Sequence, residues 1–479
     1  MQQKGKVNFM NHELAKNPFM ERCAQISRIA IILYFMDIIL LGTGQLTKMG
    51  ILSTRILFFA VAVFAALPLM LAGIRKLLRN PLMVCTAAFL VWLCVAFAVG
   101  MMKGNRHDII KSDIFGYMNL LLLPAMLCVM NERRHFITLM KVIVGSTAVI
   151  AVAAIVFSFF SFFPMQDEIY LFLGKSGLCS LTRMGQNAIR VYFHTGSRYC
   201  LVAYMIALYF FLNAPDKKQR LRWLGCMALL IIAIFIAYSR AQYLGSVLAV
   251  LLTFVMVFVK KRDCIKPVLL GTVGSLLAAC VVIGVLAVAQ RTNLFKVAYY
   301  RVAISAPMED YDSTGGSQSG QSTNINGGSY IDLTAEIHSL SIREEKMTQL
   351  SESISKSWVI GNGLGAAIDF DNGYVEYTYH DIVNKMGVVG LLLFFAPFGV
   401  MTVLFFRRKR TDYTADAVLQ CSTMLSSIAY FLFIAYFNPC MNTTVGLSCY
   451  VLSMTVFSAL FLNPGEKTAA RQDEKKLIR

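Results

Sequence analysis

The sequence predicts an all-α polytopic membrane protein. Of its 479 residues, 57% are hydrophobic and only 15% are charged, whereas ordinary soluble domains carry roughly 25% charged residues. Apolar runs of about 20 residues, each long enough to cross a bilayer as a helix, recur along the chain. The basic residues between these runs form a third signal, because they assign one consistent orientation to all of them.

We expect about 12 membrane-spanning helices, together with one large extracytoplasmic loop that contains short helices. The apolar windows are 27–46, 56–74, 82–101, 114–130, 139–160, 199–213, 223–237, 243–259, 267–289, 387–406, 416–437 and 443–462. The chain then divides into a cytoplasmic N-terminal segment, helices 1–9, the large loop, helices 10–12 and a cytoplasmic tail, with bounds 1–26, 27–290, 291–384, 385–462 and 463–479.

Lysine and arginine predict the orientation, because cytoplasmic connections of membrane proteins are enriched in both residues. Basic clusters occur in alternate connections, and both terminal segments are basic; the clusters lie within 75–79, 133–141, 217–222, 260–266 and 407–410. An even number of spans places both termini on one side, which is predicted to be the cytoplasm. The net charge of +18 follows from this asymmetry and from anionic lipid, so nucleic acid is not an expected partner.

The large loop, 291–384, is long enough to have structure of its own. Its segment 313–330 has the Gly- and Ser-rich composition of a flexible linker. Ser341 and Glu344 have capping-box spacing, which predicts a helix with Ser341 as its N-cap. Apolar residues follow at helical intervals over about four turns; they are Met347, Leu350, Ile354 and Trp358. This helix is expected either on the outer membrane surface or over a small core within the loop.

The stretch 237–245, AYSRAQYLG, places an arginine within a long apolar run. Basic clusters flank the run 223–259 on both sides, so it must fold as a hairpin whose turn carries Arg240 at the outer interface. One interpretation is an arginine that extends to the lipid headgroups. Because Tyr238 and Tyr243 enclose Arg240 where turns normally carry several polar, Gly or Pro residues, the other interpretation is a functional anion-binding site.

A second group of candidate residues lies at the end of the large loop. Gly361, Gly363 and Gly365 alternate, which permits an unusual turn or a close backbone approach. Their spacing and their external position do not fit a dinucleotide-binding motif. His380 follows on the predicted outer face, directly before a new span. The sequence therefore gives the histidine two interpretations, a structural residue or part of a site at the membrane interface.

Three segments resemble, in order, the motifs of the O-antigen polymerase and O-antigen ligase superfamily. YSRAQYLGSVLAVLL (238–252) is similar to its Ser-Arg-Gly hairpin, and IREEKMTQLSESISKSWVIGNGLG (342–365) to its arginine-headed helix with a Pro-Leu-Phe-Gly-x-Gly turn. YHDIVNKMGVVGLLLFF (379–395) is similar to its His-Asn-x-x-Leu segment, which enters the next span. Each motif is degenerate alone, and the ordered set with the predicted topology carries the resemblance.

The resemblance implies roles for particular residues. Arg240 and Arg343 match the superfamily's arginines that are associated with the lipid-linked diphosphate, and His380 matches its proposed catalytic histidine. Arg343, near the predicted start of its helix, would add a helix N-terminus to the same site. We therefore expect Arg240, Arg343 and His380 to converge on one outward-facing cavity.

Further residues are weaker candidates for substrate binding. The segment IRVYFHTGSRY is a looser match to a superfamily motif and makes Arg190 one such candidate; Tyr238, beside the hairpin arginine, and Gly363, in the glycine turn, are two more. Two positions depart from the pattern, because Ala241 stands where glycine is frequent and Asp381 where asparagine is frequent.

The resemblance implies a glycosyltransferase that polymerises a surface polysaccharide (O-antigen, capsule or exopolysaccharide) at the outer face of the bacterial inner (plasma) membrane. Donor and acceptor would be glycans on polyprenyl (undecaprenyl) diphosphate, with a flippase and a chain-length regulator as candidate partners. No cofactor or metal is expected, because arginines supply the positive charge. Asp369 and Asp371 resemble the Asp-x-Asp metal motif of enzymes that use sugar nucleotides. Because sugar nucleotides are cytoplasmic and this segment is predicted to be external, the motif carries little weight here. Asp37, in the first span, is either a functional acid or a buried hydrogen-bonding residue.

Other functions remain open from the sequence. A ligase that moves finished O-antigen to lipid A core or to protein uses the same donor, and the sequence does not separate it from a polymerase. A polysaccharide flippase or transporter would be expected to carry charges at the membrane centre and to show repeat symmetry, whereas this chain gathers its charges on one face. A structural or sensor protein would predict silent substitutions at Arg240 and His380.

Overall fold

A computed structural model describes residues 17–42, 44, 47–49, 52–130, 132–159, 166–183, 188–303, 333–368, 377–407 and 414–461. Helices account for most of these residues. They are α1 (Pro18–Leu40), α2 (Thr54–Ala72), α3 (Ile74–Leu77), α4 (Pro81–Met102), α5 (His107–Tyr117), α6 (Leu122–Val129), α7 (Arg133–Ser158), α8 (Gln166–Ser176), α9 (Gly196–Leu212), α10 (Lys217–Ile236), α11 (Arg240–Lys260), α12 (Ile265–Ala289), α13 (Leu294–Ala303), α14 (Leu333–Lys356), α15 (Thr378–Arg407), α16 (Ala415–Phe437) and α17 (Thr444–Phe461).

Two small antiparallel hairpins accompany the helices. β1 (Lys48–Met49) pairs with β2 (Leu52–Ser53), and β3 (Cys179–Arg183) pairs with β4 (Ile189–Phe193). The β3–β4 pairing runs from Cys179 opposite Phe193 to Arg183 opposite Ile189. The second hairpin matters for the site, because β4 leads directly into α9.

Ten segments of the described chain are helical, long and apolar enough to cross a membrane, so the prediction of an all-α polytopic protein is confirmed at this level. They are α1, α2, α4, α5 with α6, α7, α10, α11, α12, α15 and α16, where a 3₁₀ turn joins α5 to α6. The shorter apolar helices α9 and α17 coincide with the sixth and twelfth predicted windows. The count of twelve spans stays a prediction.

Several of these helices begin at residues that cap a helix N-terminus. Asn17 and Asn80 each accept a hydrogen bond from the backbone N–H two residues ahead, and Pro18 and Pro81 follow at the first helical position. Asp216 caps α10 by accepting a hydrogen bond from the Gln219 N–H, three residues ahead. A side-chain acceptor at the N-cap satisfies one of the N–H groups that a helix start leaves unpaired, and proline fits there because it has no N–H to satisfy.

The core of the bundle lies around α9, α16 and α17, whose residues are almost all buried. In contrast, α2, α4 and α12 expose large apolar side chains, among them Phe64, Val91 and Val285. A soluble protein rarely exposes so much contiguous apolar surface, whereas lipid tails accept it. The helices α9, α16 and α17 therefore lie at the centre and the exposed apolar faces lie outside, as expected for a membrane bundle.

The bundle has two chemically different ends. At one end, which we call the turn end, Arg190 Nε donates to the Ala237 carbonyl oxygen (3.0 Å) and Thr378 Oγ1 donates to the Asn438 carbonyl oxygen (3.2 Å). These bonds join the β3–β4 hairpin to the α10–α11 turn, and the start of α15 to the α16–α17 connection.

The opposite end, which we call the basic end, carries residues of the predicted cytoplasmic clusters. There Lys260 Nζ donates to the Phe406 carbonyl oxygen (3.0 Å), and Arg133 pairs with Asp416 (2.7 Å). These contacts bring the end of α11 to the end of α15 and the start of α7 to the start of α16. That the basic end faces the cytoplasm stays a prediction.

Two helices of the large-loop region begin earlier than the sequence predicts. α14 begins at Leu333, so Ser341 lies inside the helix and the capping-box prediction is wrong. The reason is that helix-favouring Leu, Ala and Glu residues precede Ser341 without a breaker, which lets α14 reach 24 residues. α15 begins at Thr378 rather than at residue 387. The predicted linker 313–330 lies outside the described residues.

α15 is interrupted at Gly387, which has φ 68° and ψ −178°. The chain after α14 packs into this break. The Val388 N–H donates to the Trp358 carbonyl oxygen (2.9 Å), and the Gly363 N–H donates to the Lys385 carbonyl oxygen (3.0 Å). A short helical segment that contains His380 therefore precedes the break, and the long apolar part of α15 follows it.

Replacement of Gly387 by alanine is expected to destabilise the protein. The added Cβ would overlap the Val359 carbonyl oxygen, and this combination of φ and ψ, which is essentially restricted to glycine, costs another residue about 1–3 kcal/mol. Thermal unfolding in detergent should show a clearly lower midpoint. Gly399, in the same helix, has open space around it, so Gly399→Ala is the matched control and should keep or raise the midpoint. Equal midpoints for the two variants would contradict this role of the break.

Candidate functional site

The turn between α10 and α11 is short and strained. It consists of Ala237, Tyr238 and Ser239, and Arg240 is the first residue of α11. Tyr238 has a positive φ of 41° and a buried side chain, although glycine is favoured in this region. Strained residues of this kind cluster at functional sites. The structure therefore has the tight turn that the sequence predicts, with a half-buried Arg240 at the start of a helix.

Arg190, a candidate from the sequence, is bound to this turn. It lies on β4, and its Nε donates to the Ala237 carbonyl oxygen at 3.0 Å. Its guanidinium carbon lies 5.1 Å from the centre of the Tyr192 ring, a cation–π contact. The structure thus brings Arg190 to the turn that carries Tyr238 and Arg240.

Arg198 is a site residue that the sequence analysis does not single out. It lies in the first turn of α9, and its Nε donates to the Tyr192 hydroxyl (2.9 Å) while its Nη1 donates to the Pro439 carbonyl oxygen (3.4 Å). Because Pro439 belongs to the α16–α17 connection, Arg198 joins the β3–β4 hairpin to that connection. The sequence does carry a signal, since Arg190 and Arg198 both stand in the quoted segment before an apolar run.

His194 lies between these two arginines along the chain. Burial lowers the pKa of His194 below its ordinary value, and the positive charges of Arg198 and Arg190 lower it further. The imidazole is therefore neutral at pH 7. Its ring contacts Tyr192 edge-on, with the ring centres 6.0 Å apart. His194 thus lies close enough to both guanidinium groups for their charges to act on it.

His380, the predicted catalytic residue, is the third residue of α15 and is half-buried. Its Nδ1 is buried and has no hydrogen-bond partner among the described residues. Two residues earlier, Thr378 donates to the carbonyl oxygen of Asn438, the residue before Pro439. One connection therefore binds both Arg198 and the start of the helix that carries His380.

The helix that contains Arg343 packs beside His380. Leu350 of α14 forms a small apolar core to which Tyr377 contributes, and the Tyr377 ring lies edge-on to His380 with the ring centres 5.8 Å apart. Arg343 precedes Leu350 by two turns, about 10 Å along a helix axis. The structure thus packs α14 against the segment that contains His380, and Arg343 lies two helical turns before that contact.

Arg343 does not lie near the N-terminus of its helix. α14 begins at Leu333, so the predicted contribution of a helix N-terminus at Arg343 is wrong, since that effect fades within the first turn. The side chain of Arg343 lies outside the described part of the structure. The convergence of Arg240, Arg343 and His380 on one cavity therefore stays a prediction.

The alternate glycines have the unusual backbone that the sequence predicts. Gly361, Gly363 and Gly365 have φ values of 91°, 86° and 78°. A Cβ at Gly363 would overlap the backbone of Gly100 in α4, so the close approach is made to a neighbouring helix. Packing accounts for glycine at this position, and a substrate contact by Gly363 stays a prediction.

A buried ion cluster holds the first turns of α15. Lys385 Nζ lies 2.7 Å from Asp113 Oδ1 and 2.8 Å from Asp381 Oδ1. The other oxygen of Asp381 accepts from the Asn442 amide (3.1 Å), and the other oxygen of Asp113 accepts from the Gly365 N–H (2.9 Å). The cluster ties together α5, the glycine turn, α15 and the α16–α17 connection. Asp381, which departs from the resembled pattern, thus fixes the start of α15.

The remaining acidic candidates are accounted for in part. Asp37 is buried, pairs with Arg55 (3.0 Å) and accepts a hydrogen bond from Thr54, which is the structural role considered for it. Within the described ranges, no group of three His, Cys, Asp or Glu residues could hold a metal ion. Asp369 and Asp371 lie outside the described residues.

Replacement of Lys385 by methionine is expected to destabilise the protein strongly. The buried carboxylate of Asp381 would lose its cation and lie beside the partly buried carboxylate of Asp113, and removal of one partner from a buried pair typically costs about 3–5 kcal/mol. Chemical unfolding in detergent measures the loss. Arg106 pairs with Asp108 at a similar distance on the surface, so Arg106→Met is the control and should change nothing measurable. A stable Lys385→Met variant would refute the positioning role of the cluster.

Comparison with known proteins does not assign a family. No protein-family model matches the chain, and no curated protein matches it. The resemblance to the O-antigen polymerase and ligase superfamily therefore rests on the motifs themselves. The structure places the hairpin motif and the histidine segment at one end of the bundle, and α14, which carries the third motif, packs against the histidine segment.

Proposed function

We propose that this protein is a glycosyltransferase that polymerises a surface polysaccharide, by moving a glycan from polyprenyl diphosphate onto a lipid-linked repeat unit at the outer face of a bacterial inner membrane. The observation that carries the proposal is the cluster of Arg190, His194 and Arg198 on the segment bound to the turn of Arg240. The motif resemblance supports the same activity.

The arginines suit a diphosphate leaving group. A guanidinium binds two phosphate oxygens at once and keeps its charge at any physiological pH. Fixed cations stabilise the negative charge that develops on the diphosphate as the sugar–phosphate bond breaks. The hydrogen bonds of Arg190 and Arg198 to carbonyl and tyrosine oxygens hold both side chains in place before a substrate arrives.

The proposed step transfers the glycan from one oxygen to another. An acceptor hydroxyl oxygen forms a bond to the anomeric carbon of the donor glycan, and the bond from that carbon to the diphosphate oxygen breaks. Polyprenyl diphosphate leaves with the electron pair, and the proton of the hydroxyl passes to the imidazole of His380. Histidine suits this role because its ordinary pKa lies near neutrality.

One observation favours a second candidate function. The interruption of α15 at Gly387 and the buried Lys385 cluster beside it are features that transporters also have, because broken helices and intramembrane charges mark their substrate paths. A flippase for lipid-linked glycan is therefore the alternative that the experiment must separate. The ligase alternative differs from the polymerase in its acceptor.

Incubation of the purified protein with lipid-linked repeat units alone is expected to lengthen the glycan. His380→Ala should lower the rate by about 10²–10⁴-fold through loss of a general base, and Arg240→Gln by about 10²–10³-fold through loss of electrostatic stabilisation. His107, exposed on α5 at the turn end, provides the control variant His107→Ala, which should keep the parent rate. Gel electrophoresis of the lipid-linked products measures chain length.

Other outcomes of this assay point to the alternatives. Transfer onto added lipid A core without lengthening would indicate a ligase. Translocation of lipid-linked glycan in vesicles, with no transferase activity and no effect of His380→Ala, would indicate a flippase. Either result would refute the polymerase.

The pKa of His194 should report the binding of the diphosphate. In the free protein, burial and the charges of Arg198 and Arg190 keep this pKa below the ordinary value. A bound diphosphate should raise the pKa, because nearby negative charge favours the protonated imidazole. NMR titration of isotope-labelled histidine, with and without undecaprenyl diphosphate, measures the change. A saturating lipid that leaves the pKa of His194 unaltered would show that the diphosphate binds elsewhere.

A further inference from the structure

Polar side chains near the start of α11 are buried without hydrogen-bond partners. Gln242 is 1% exposed, and neither its amide oxygen nor its amide nitrogen is paired within the described chain. The hydroxyls of Ser246 and Tyr430 are also buried and unpaired there, and Tyr430 is 0% exposed. Roughly 90% or more of buried polar groups in proteins are paired, so these groups call for a partner that the described part of the chain does not supply.

Gln242 and Tyr430 lie at one interface, between α11 and α16. Gln242 and Gly245 belong to the buried face of α11, and a Cβ added at Gly245 would lie 3.0 Å from Cδ2 of Tyr430 on α16. Ser246 follows Gln242 by one turn, and residues one turn apart are neighbours on a helix surface. The absence of a side chain at Gly245 thus makes room for the Tyr430 ring beside Gln242.

Elsewhere in the same interface, polar side chains of the two helices do form hydrogen bonds with each other. Further along it, Thr253 Oγ1 on α11 donates to Ser426 Oγ on α16 at 2.7 Å. Tyr430, nearer the turn end, lies within electrostatic range of Arg198 and Tyr192. The unpaired groups are therefore close to the proposed diphosphate site.

The chemistry of the unpaired groups matches sugar hydroxyls. The Gln242 amide offers donors and an acceptor, and the hydroxyls of Ser246 and Tyr430 can each donate and accept. A sugar hydroxyl does both as well. None of the three side chains is charged, so this set does not select a phosphate, whereas Arg240 at the start of the same helix does.

We propose that Gln242, Ser246 and Tyr430 form a subsite for the hydroxyl groups of the sugar that is bonded to the diphosphate. The inference rests on the proposed function, because it takes the donor to be a lipid-diphosphate-linked glycan. It adds residues that select the donor by its first sugar rather than by its lipid or its diphosphate.

Two nearly volume-conserving variants test the subsite, Gln242→Met and Tyr430→Phe. Each should raise the Kd for lipid-linked repeat units extracted from the host by about tenfold, because hydrogen bonds to the sugar are lost. The Kd for undecaprenyl diphosphate, which has no sugar, should stay within about twofold of the parent value. The thermal unfolding midpoint should stay the same or rise, because the removed atoms have no hydrogen-bond partner among the described residues.

Two matched controls remove paired groups of the same types. Gln420 donates to the Tyr209 hydroxyl (2.6 Å), and the Tyr450 hydroxyl donates to the Phe394 carbonyl oxygen (3.0 Å). Gln420→Met and Tyr450→Phe should therefore lower the unfolding midpoint and leave both Kd values unchanged. The opposite responses of the two pairs separate a binding role from a packing role.

The outcomes distinguish the subsite from the proposed function. A parent protein without transferase activity counts against the proposed function. If the parent transfers glycan but Gln242→Met and Tyr430→Phe bind the repeat unit as tightly as the parent does, the subsite is overturned and the proposed function is not. Equal weakening for both lipids also overturns it, because the residues would then contact the diphosphate or the lipid. The expected result is weakening that is confined to the sugar-bearing lipid.

Discussion

The hydrogen bonds that replace the helical ladder at Gly387 are the constraint on which the candidate site depends. Inside a membrane, every backbone polar group must find a partner within the protein. The break in α15 is tolerated because the chain after α14 supplies partners, such as the Trp358 carbonyl oxygen for the Val388 N–H. Lys385 adds a buried ion cluster at the same place. The short segment with His380 is therefore held by distant parts of the chain.

The positive charge of the protein takes two forms. At the basic end, charged residues are largely exposed; Arg262, for example, lies over the Phe258 ring at 4.7 Å and reaches the surface. Such residues suit anionic headgroups and orientation. At the turn end, Arg190 and Arg198 are half-buried and fixed by hydrogen bonds to carbonyl and tyrosine oxygens. Fixed, partly desolvated charges bind an anion with little rearrangement, which distinguishes a candidate site from a topological signal.

The helices and the hairpin could be predicted because their signals are local. Apolar runs of membrane length and basic clusters at both flanks are enough to place Arg240 at a turn. The start of α14 was predicted wrongly, because the capping-box spacing at Ser341 was given more weight than the helix-favouring residues before it. The contacts of Arg198 with Pro439 and of Lys385 with Asp113 could not be predicted, because these partners are far away in the sequence.

The most direct test of the account is an experimental structure of the protein in a lipid nanodisc with an undecaprenyl-diphosphate-linked glycan bound as a non-reactive phosphonate analogue. The account predicts diphosphate density at the turn end, in contact with Arg240 and with the Arg190–Arg198 segment, and an anomeric carbon within reach of His380. Diphosphate density at the basic end, or at the turn end but far from both Arg240 and His380, would contradict it.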